Sequence, residues 1–369
     1  MNRRDFAVGA GALLAAGAVA RTAFAQGSAI SAAARRVWQR SVVLDCNLGP
    51  QISNLPPTEA DIALARSSGV SAVKSSIGGF NASFEDTILE ISQYQRVIEM
   101  CPQAFMQVRT ADDILAAKRS HKLGVIFSFE SATCLEDKVD RIDLFRNLGV
   151  RVMQLSYNLP SPFGAGVMSP PESGLTELGR QAVERMNAQG VALDLSHANP
   201  ATTAAAIAAS TKPVIISHAG CMAIHANPRN KTDEQLRAIA EKGGVVGIYD
   251  LFYLAPAGRQ PTVEDYLNHM THALDVCGED HVGFGSDTSF GPFEITEEGR
   301  AQWAAETERR RATGVAAPEE DGRLPYTEGL NRADRALVIA DGLMKRGYRA
   351  AAVEKVLGAN FIRAFREIW

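Results

Sequence analysis

The chain has 369 residues, a 46% hydrophobic composition and a formal net charge of -4. That length supports one large core, so a single α/β barrel is as compatible with it as two domains. The mild acidic balance and the lack of any basic cluster argue against nucleic acid or a membrane surface as partner.

The N-terminal stretch MNRRDFAVGAGALLAAGAVARTAFAQ sets twin arginines (Arg3, Arg4) ahead of Phe6, a Gly/Ala-rich apolar run and Ala23-Phe24-Ala25. This is the pattern of a twin-arginine export signal with an A-x-A cleavage site. Residues 1–25 are expected to be removed, and the mature chain, 26–369, is expected to work in a bacterial periplasm after export in the folded state. The apolar run is too short and too weakly hydrophobic for a membrane anchor. Cys46, Cys101, Cys134, Cys221 and Cys277 show no C-x-x-C spacing, and their odd count leaves at least one free thiol. Most are expected to be small buried hydrophobes.

Along the mature chain a strand is expected at VVLDCN (42–47), then at VSAVKSSI (70–77), FMQVRT (105–110) and VIFSFES (125–131). The series continues with VRVMQLSY (150–157), VALDLSH (191–197), PVIISHAG (213–220), VVGIYDL (245–251) and HVGFGSD (281–287). Before five of them, at Gly69, Gly124, Gly149, Gly190 and Gly244, a glycine follows an amphipathic segment, as expected of a left-handed residue closing a helix before a buried strand. In GLTELGRQAVERMNAQG, residues Leu175, Leu178, Ala182, Val183 and Met186 fall at helical spacing. Eight or nine strands alternating with helices predict a (β/α)8 TIM barrel, and no G-x-G-x-x-G follows the first strand to suggest a dinucleotide fold. No Pro/Ser linker splits the mature chain. The polar stretch 296–324 reads as a lid-like insertion.

Parallel barrels carry their chemistry at the strand C-termini. The residues at those positions are Asp45 and Asn47, Glu130, Tyr157 and Asn158, His197, His218, and Asp287. Alternation along each strand places His197 on one face with Val191, Leu193 and Leu195. It places His218 with Val214 and Ile216, and Glu130 with Ile126 and Ser128. Two imidazoles and a carboxylate are the ligand set of an open zinc site. His121, His269, His272 and His281 are expected to be structural or solvated, and His225, in a loop near the mouth, fits either a structural or a site role.

Several stretches together resemble the renal (membrane) dipeptidase family of metallopeptidases, a branch of the amidohydrolase-like TIM barrels. They are GVIFSFES, LFRNLGVRVMQLSYN, GLTELGRQAVERMNAQGVALDLSHAN, PVIISHAG with NPRNKTDEQLRAIAEKGG, DHVGFGSD and VLGANFIRAF. The resemblance implies a dinuclear zinc site in which Glu130 bridges the metals and His197 and His218 ligate one of them. It further implies that Arg229 grips a substrate carboxylate and that Asp287 exchanges a proton with the nucleophilic water and the leaving amine. Tyr157 stands where vertebrate members have a histidine that polarises the scissile carbonyl. Dimers are common in the family.

The first strand departs from that pattern. The family reads Asp-Gly-His-Asn-Asp there, whereas this chain has Asp45-Cys46-Asn47-Leu48-Gly49, so Asn47 replaces the histidine and Gly49 the aspartate. Alternation turns Asp45 and Asn47 inward as weak metal candidates and Cys46 toward the helices. The expectation is a hydrolase of dipeptides or similar small amides, with water activated by zinc attacking the scissile carbonyl. One Zn2+ would lie on His197, His218 and Glu130, or two in an altered dinuclear centre. The alternative is a non-catalytic periplasmic metal- or peptide-binding protein on a degenerate dipeptidase scaffold.

Overall fold

The computed structural model describes residues 30–49 and 57–369, so the predicted export signal lies outside the described residues. Eight parallel strands follow one another around a barrel in chain order. They are β1 (Leu44–Asp45), β2 (Ala72–Ser76), β3 (Leu123–Phe129), β4 (Val150–Gln154), β5 (Ala192–Asp194), β6 (Ile215–Ala219), β7 (Val245–Ile248) and β8 (Val282–Phe284). Cys46 N donates to Phe284 O at 3.0 Å and returns the last strand to the first. The expected (β/α)8 TIM barrel is the fold. The ninth expected strand, Phe105–Gln107, pairs with the start of β3 and stands outside the cyclic order. Among the described residues no helix is long and apolar enough to cross a membrane.

The helix predicted from GLTELGRQAVERMNAQG runs Glu177–Gln189. It is opened by Thr176, whose side chain accepts from Gly179 N, and closed by Gly190 at φ 63°. Two of the five expected closing glycines do something else. Before β3 the left-handed residue is His121, and before β7 it is Gly243. Gly244 instead lets two strands approach, since a Cβ there would lie 1.9 Å from Val214 O.

The barrel interior is layered. At one end Leu44, Ala72, Ile126, Val152, Ala192, Ile215 and Val245, one from each of β1 to β7, pack together under Phe361 and Phe365 of the C-terminal helix Asn360–Ile368. Above this plug the inward residues become polar. Lys74 and Asp194, both fully buried, stand 3.6 Å apart. Asp194 also accepts from Gln154, Ser196 and Ser217. A buried ion pair with so many added donors is satisfied rather than stranded, and it forms a rigid floor for the groups at the strand C-termini.

Candidate metal centre

Alternation delivers Glu130 to the mouth as expected, because Ile126 belongs to the interior plug and Ser128 Oγ contacts Ser75 O and Lys74 inside the barrel. The same reasoning assigns the wrong face to the histidines' strand neighbours. Val191, Leu193, Leu195, Val214 and Ile216 all pack in the outer core. His197 and His218 reach the mouth because regular pairing stops short of them. β5 ends at Asp194, and the β6–β7 register shifts between Ile216 and Ala219.

The first strand corrects the expectation in the same way. Cys46 joins the interior cluster, while Asp45 turns the other way and is engaged by Ser286, whose N and Oγ donate to it at 2.8 and 2.6 Å, and by Asn47 N at 3.2 Å. Burial holds the Cys46 thiol well above its usual range, as expected of a packed hydrophobe rather than a thiolate ligand. β1 is only two residues long, so the chain bends before Asn47 and period-two counting fails there.

The hydrogen-bond network fixes the tautomers of both imidazoles. His197 Nδ1 lies 2.7 Å from Asn158 Oδ1, and Asn158 is oriented by its Nδ2 donating to Val315 O at 2.8 Å. His218 Nδ1 lies 2.8 Å from Ser217 Oγ, whose own hydrogen goes to Asp194 Oδ2 at 2.5 Å. Each Nδ1 is therefore the donor, and each Nε2 carries a lone pair. The two Nε2 atoms face one another at 3.0 Å. Burial first, and the Arg229 guanidinium second, hold both rings well below the usual imidazole range, so both are neutral. Two buried acceptors in contact, one of them also 3.3 Å from Arg229 Nη2, leave room for a cation between them. Zinc bound to nitrogen at about 2.0–2.1 Å in tetrahedral geometry would set them roughly 3.3 Å apart. Ligand atoms of Glu130, His197 and His218 lie within 4.8 Å of one another. The donor set fits a divalent ion such as Zn2+.

Asn47 Nδ2 donates to Glu130 Oε1 at 2.8 Å and to Asp287 Oδ1 at 2.7 Å. Asp287 Oδ2 is 3.9 Å from His218 Nε2. Burial first, then the Glu130 carboxylate, pushes the Asp287 carboxyl up from its usual range. Arg229 is buried at 1% exposure. Its Nη1 donates to Ser196 O at 2.7 Å, its Nη2 lies 3.3 Å from His197 Nε2, and its guanidinium sits over the Tyr249 ring. It makes no ion pair among the described residues, which leaves a planar cation beside the imidazoles ready for an anion. Tyr157 stacks on His197 with ring centroids 4.0 Å apart.

The structure thus brings Asn47, Glu130, Tyr157, His197, His218, Arg229 and Asp287 to one mouth and leaves Asp45 beside Ser286. Sequence reasoning missed Ser217 and Asp194, which orient His218, and Arg310, whose Nη1 donates to Tyr157 Oη at 3.2 Å. Arg310 lies in the helix Glu297–Ala312 of the polar stretch and pairs in the bidentate manner with Glu320 at 2.6 and 2.7 Å. No spacing in ERRRATG announces that reach. The remaining histidines stand apart from the centre. His269 Nδ1 accepts from Cys221 N and its Nε2 donates to Leu254 O, while His272 and His225 pair with Asp233 and Glu319.

Known proteins resemble this chain in sequence and in fold. The profile of the family described as membrane dipeptidase (peptidase family M19) matches residues 34–299. Dipeptidase tcpJ of Claviceps purpurea is 27% identical over 291 residues, 78% of this chain but 61% of that protein, so this chain spans less than two thirds of that relative. The crystal structure of an amidohydrolase from Pseudomonas aeruginosa superposes with a TM-score of 0.79 at 26% identity, covering 91% of this chain and 99% of that one. A metallopeptidase from Rhodobacter sphaeroides, crystallised with a phosphinate mimic of L-Ala-D-Ala, shares the fold with a TM-score of 0.69 at 22% identity, covering 89% and 100%.

Proposed function

The chain belongs to the membrane dipeptidase family, peptidase family M19, and on that premise we propose that it is a metal-dependent hydrolase of dipeptides or similar small amides. The observation that carries this reading is the pair of Nε2 lone pairs, 3.0 Å apart beside Glu130. His197, His218 and Glu130 would hold one Zn2+, which supplies Lewis acidity and lowers the pKa of water to roughly 7. The chain's own groups do the rest. Arg229, a planar fork without a carboxylate partner among the described residues, binds the substrate carboxylate in the bidentate manner. Tyr157 Oη accepts from Arg310, so its own proton is left to donate to the scissile carbonyl oxygen. Asp287 Oδ2, the oxygen that Asn47 does not engage, takes a proton from the attacking water and returns it to the leaving amine. Residues 1–25 would export the protein to the periplasm, where dipeptides from the cell wall are available.

The test is metal analysis of the purified protein beside a panel of dipeptides. The Rhodobacter sphaeroides protein was crystallised with an L-Ala-D-Ala mimic, which makes dipeptides with a C-terminal D-residue the first to try. His197→Ala is expected to lose both the ion and at least about a thousandfold of turnover. Stoichiometric metal with no hydrolysis of any amide or ester tried would sink the hydrolase reading in favour of a binding protein.

A further inference from the structure

We propose that the side-chain amide of Asn47 replaces a second cation in this centre: it ties Glu130 to Asp287, so the chain binds a single metal ion on the imidazole side. This deepens the hydrolase reading and rests on it for the role of Asp287. The argument begins with atom identity. Only the amide nitrogen carries hydrogens, and it carries two. Two carboxylate oxygens stand at 2.8 and 2.7 Å from it, one for each hydrogen. An amide oxygen turned toward the same two carboxylates would meet only like partial charge. Asn47 is therefore a donor here and not a metal ligand.

Asn47 is also held in that orientation. Its backbone N donates to Asp45 Oδ1 at 3.2 Å, and its backbone O accepts from Asp287 N at 2.6 Å. Residues 47 and 287 are thus joined twice, by O to N along the backbone and by Nδ2 to Oδ1 between side chains. Asp287 stands at φ 58°, a conformation that non-glycine residues seldom adopt without support. The double link to Asn47 supplies that support and aims the carboxylate over the centre.

Nothing else on the first strand offers a ligand. Asp45 gives its oxygens to Ser286 and to the Asn47 backbone. Gly49 has no donor side chain, and its segment Leu48–Gly49 is committed to a parallel ladder with Thr288–Ser289. A dication between Glu130 and Asp287 would have to displace the amide and then find only those two carboxylates. Asn47 is accordingly a positioning residue for Asp287, acting where a metal would otherwise neutralise the two anions.

The first readout is metal content, taken with no substrate present. The chelator-treated protein is loaded with Co2+, and the ratio of ion to chain is taken by plasma mass spectrometry, with visible absorption and electron paramagnetic resonance to detect coupled ions. The natural chain is expected to take one uncoupled ion, and Asn47→Asp, or Asn47→His with Gly49→Asp, to take two. Asn47→Ala is expected to keep one ion with unchanged KM while kcat falls roughly 10- to 100-fold, the range for a group acting through another. Two exchange-coupled Co2+ ions in the natural chain would overturn the proposal, whether or not either variant folds. So would an Asn47→Ala protein of unaltered kcat. Failure of every dipeptide assay would sink the hydrolase reading but leave the ion count standing.

Discussion

Ser217 orients the imidazole of His218, one of the proposed metal ligands. Its hydroxyl gives its hydrogen to Asp194 and leaves an oxygen for His218 Nδ1–H. Ser217→Ala removes that acceptor, so the imidazole is free to rotate or change tautomer. The expected result is a metal affinity lower by about 10- to 100-fold, measured by competition with a chelator, with little change in thermal stability. Residues of this kind explain what the sequence could not convey. Glu130 was legible because Ile126 and Ser128 keep their inward alternation, even though the pairing with β4 shifts register between Phe127 and Ser128. His197 and His218 were placed at the barrel mouth by a count that grouped them with neighbours now seen in the outer core, since β5 ends at Asp194 and the β6–β7 register shifts between Ile216 and Ala219. Asn47 was legible as a departure from the family pattern, but which of its atoms faces the site depends on Glu130 and Asp287, residues 83 and 240 positions away.

Among the elements, the barrel strands were readable because most are largely apolar, buried runs bounded by turn residues. The stretch 296–324 was readable as a polar, lid-like insertion but not in its internal structure. The structure makes its first half a helix and fastens it through Arg310 to Glu320, which accepts from Tyr253 Oη at 2.6 Å and from Ala317 N at 2.8 Å. That fastening joins segments by charge and shape rather than by periodicity, so no pattern in the chain predicts it. Glu320 is 6% exposed, and Arg310→Ala would leave its carboxylate buried without its counter-ion. Breaking such a pair costs about 3–5 kcal/mol locally. The expected outcome is much faster proteolysis between residues 313 and 324 with the barrel intact. Replacing Arg310 and Glu320 together should cost less than the two single changes added, and additive losses would show that the pair does not hold the segment.

At the scale of the molecule, the barrel carries buried charge outside the metal centre, and that charge shapes its stability against pH. Asp250 follows β7 and is 1% exposed. Its Oδ1 accepts from Thr327 N at 2.8 Å, its Oδ2 has no hydrogen-bond partner, and Arg335 stands 4.0 Å away. Burial outweighs Arg335 and Thr327 and, with the Asp45 charge adding to it, pushes the carboxyl up to about 7 from 3.8. The folded chain therefore holds a proton on Asp250 that the unfolded chain releases once the pH passes its ordinary value. Between about pH 4 and pH 7 the folded state binds more protons, so this residue's contribution to stability declines as pH rises through that window and is lost above it. Asp250→Asn keeps the acceptor for Thr327 N and cannot ionise, so it mimics the protonated form. Below about pH 4 the variant and the natural chain should unfold at similar urea concentrations, whereas at pH 8 the variant should be the more stable by a few kcal/mol. Parallel stability–pH curves for the two proteins would show that Asp250 is ionised throughout and that Arg335, despite its distance, compensates the charge in full.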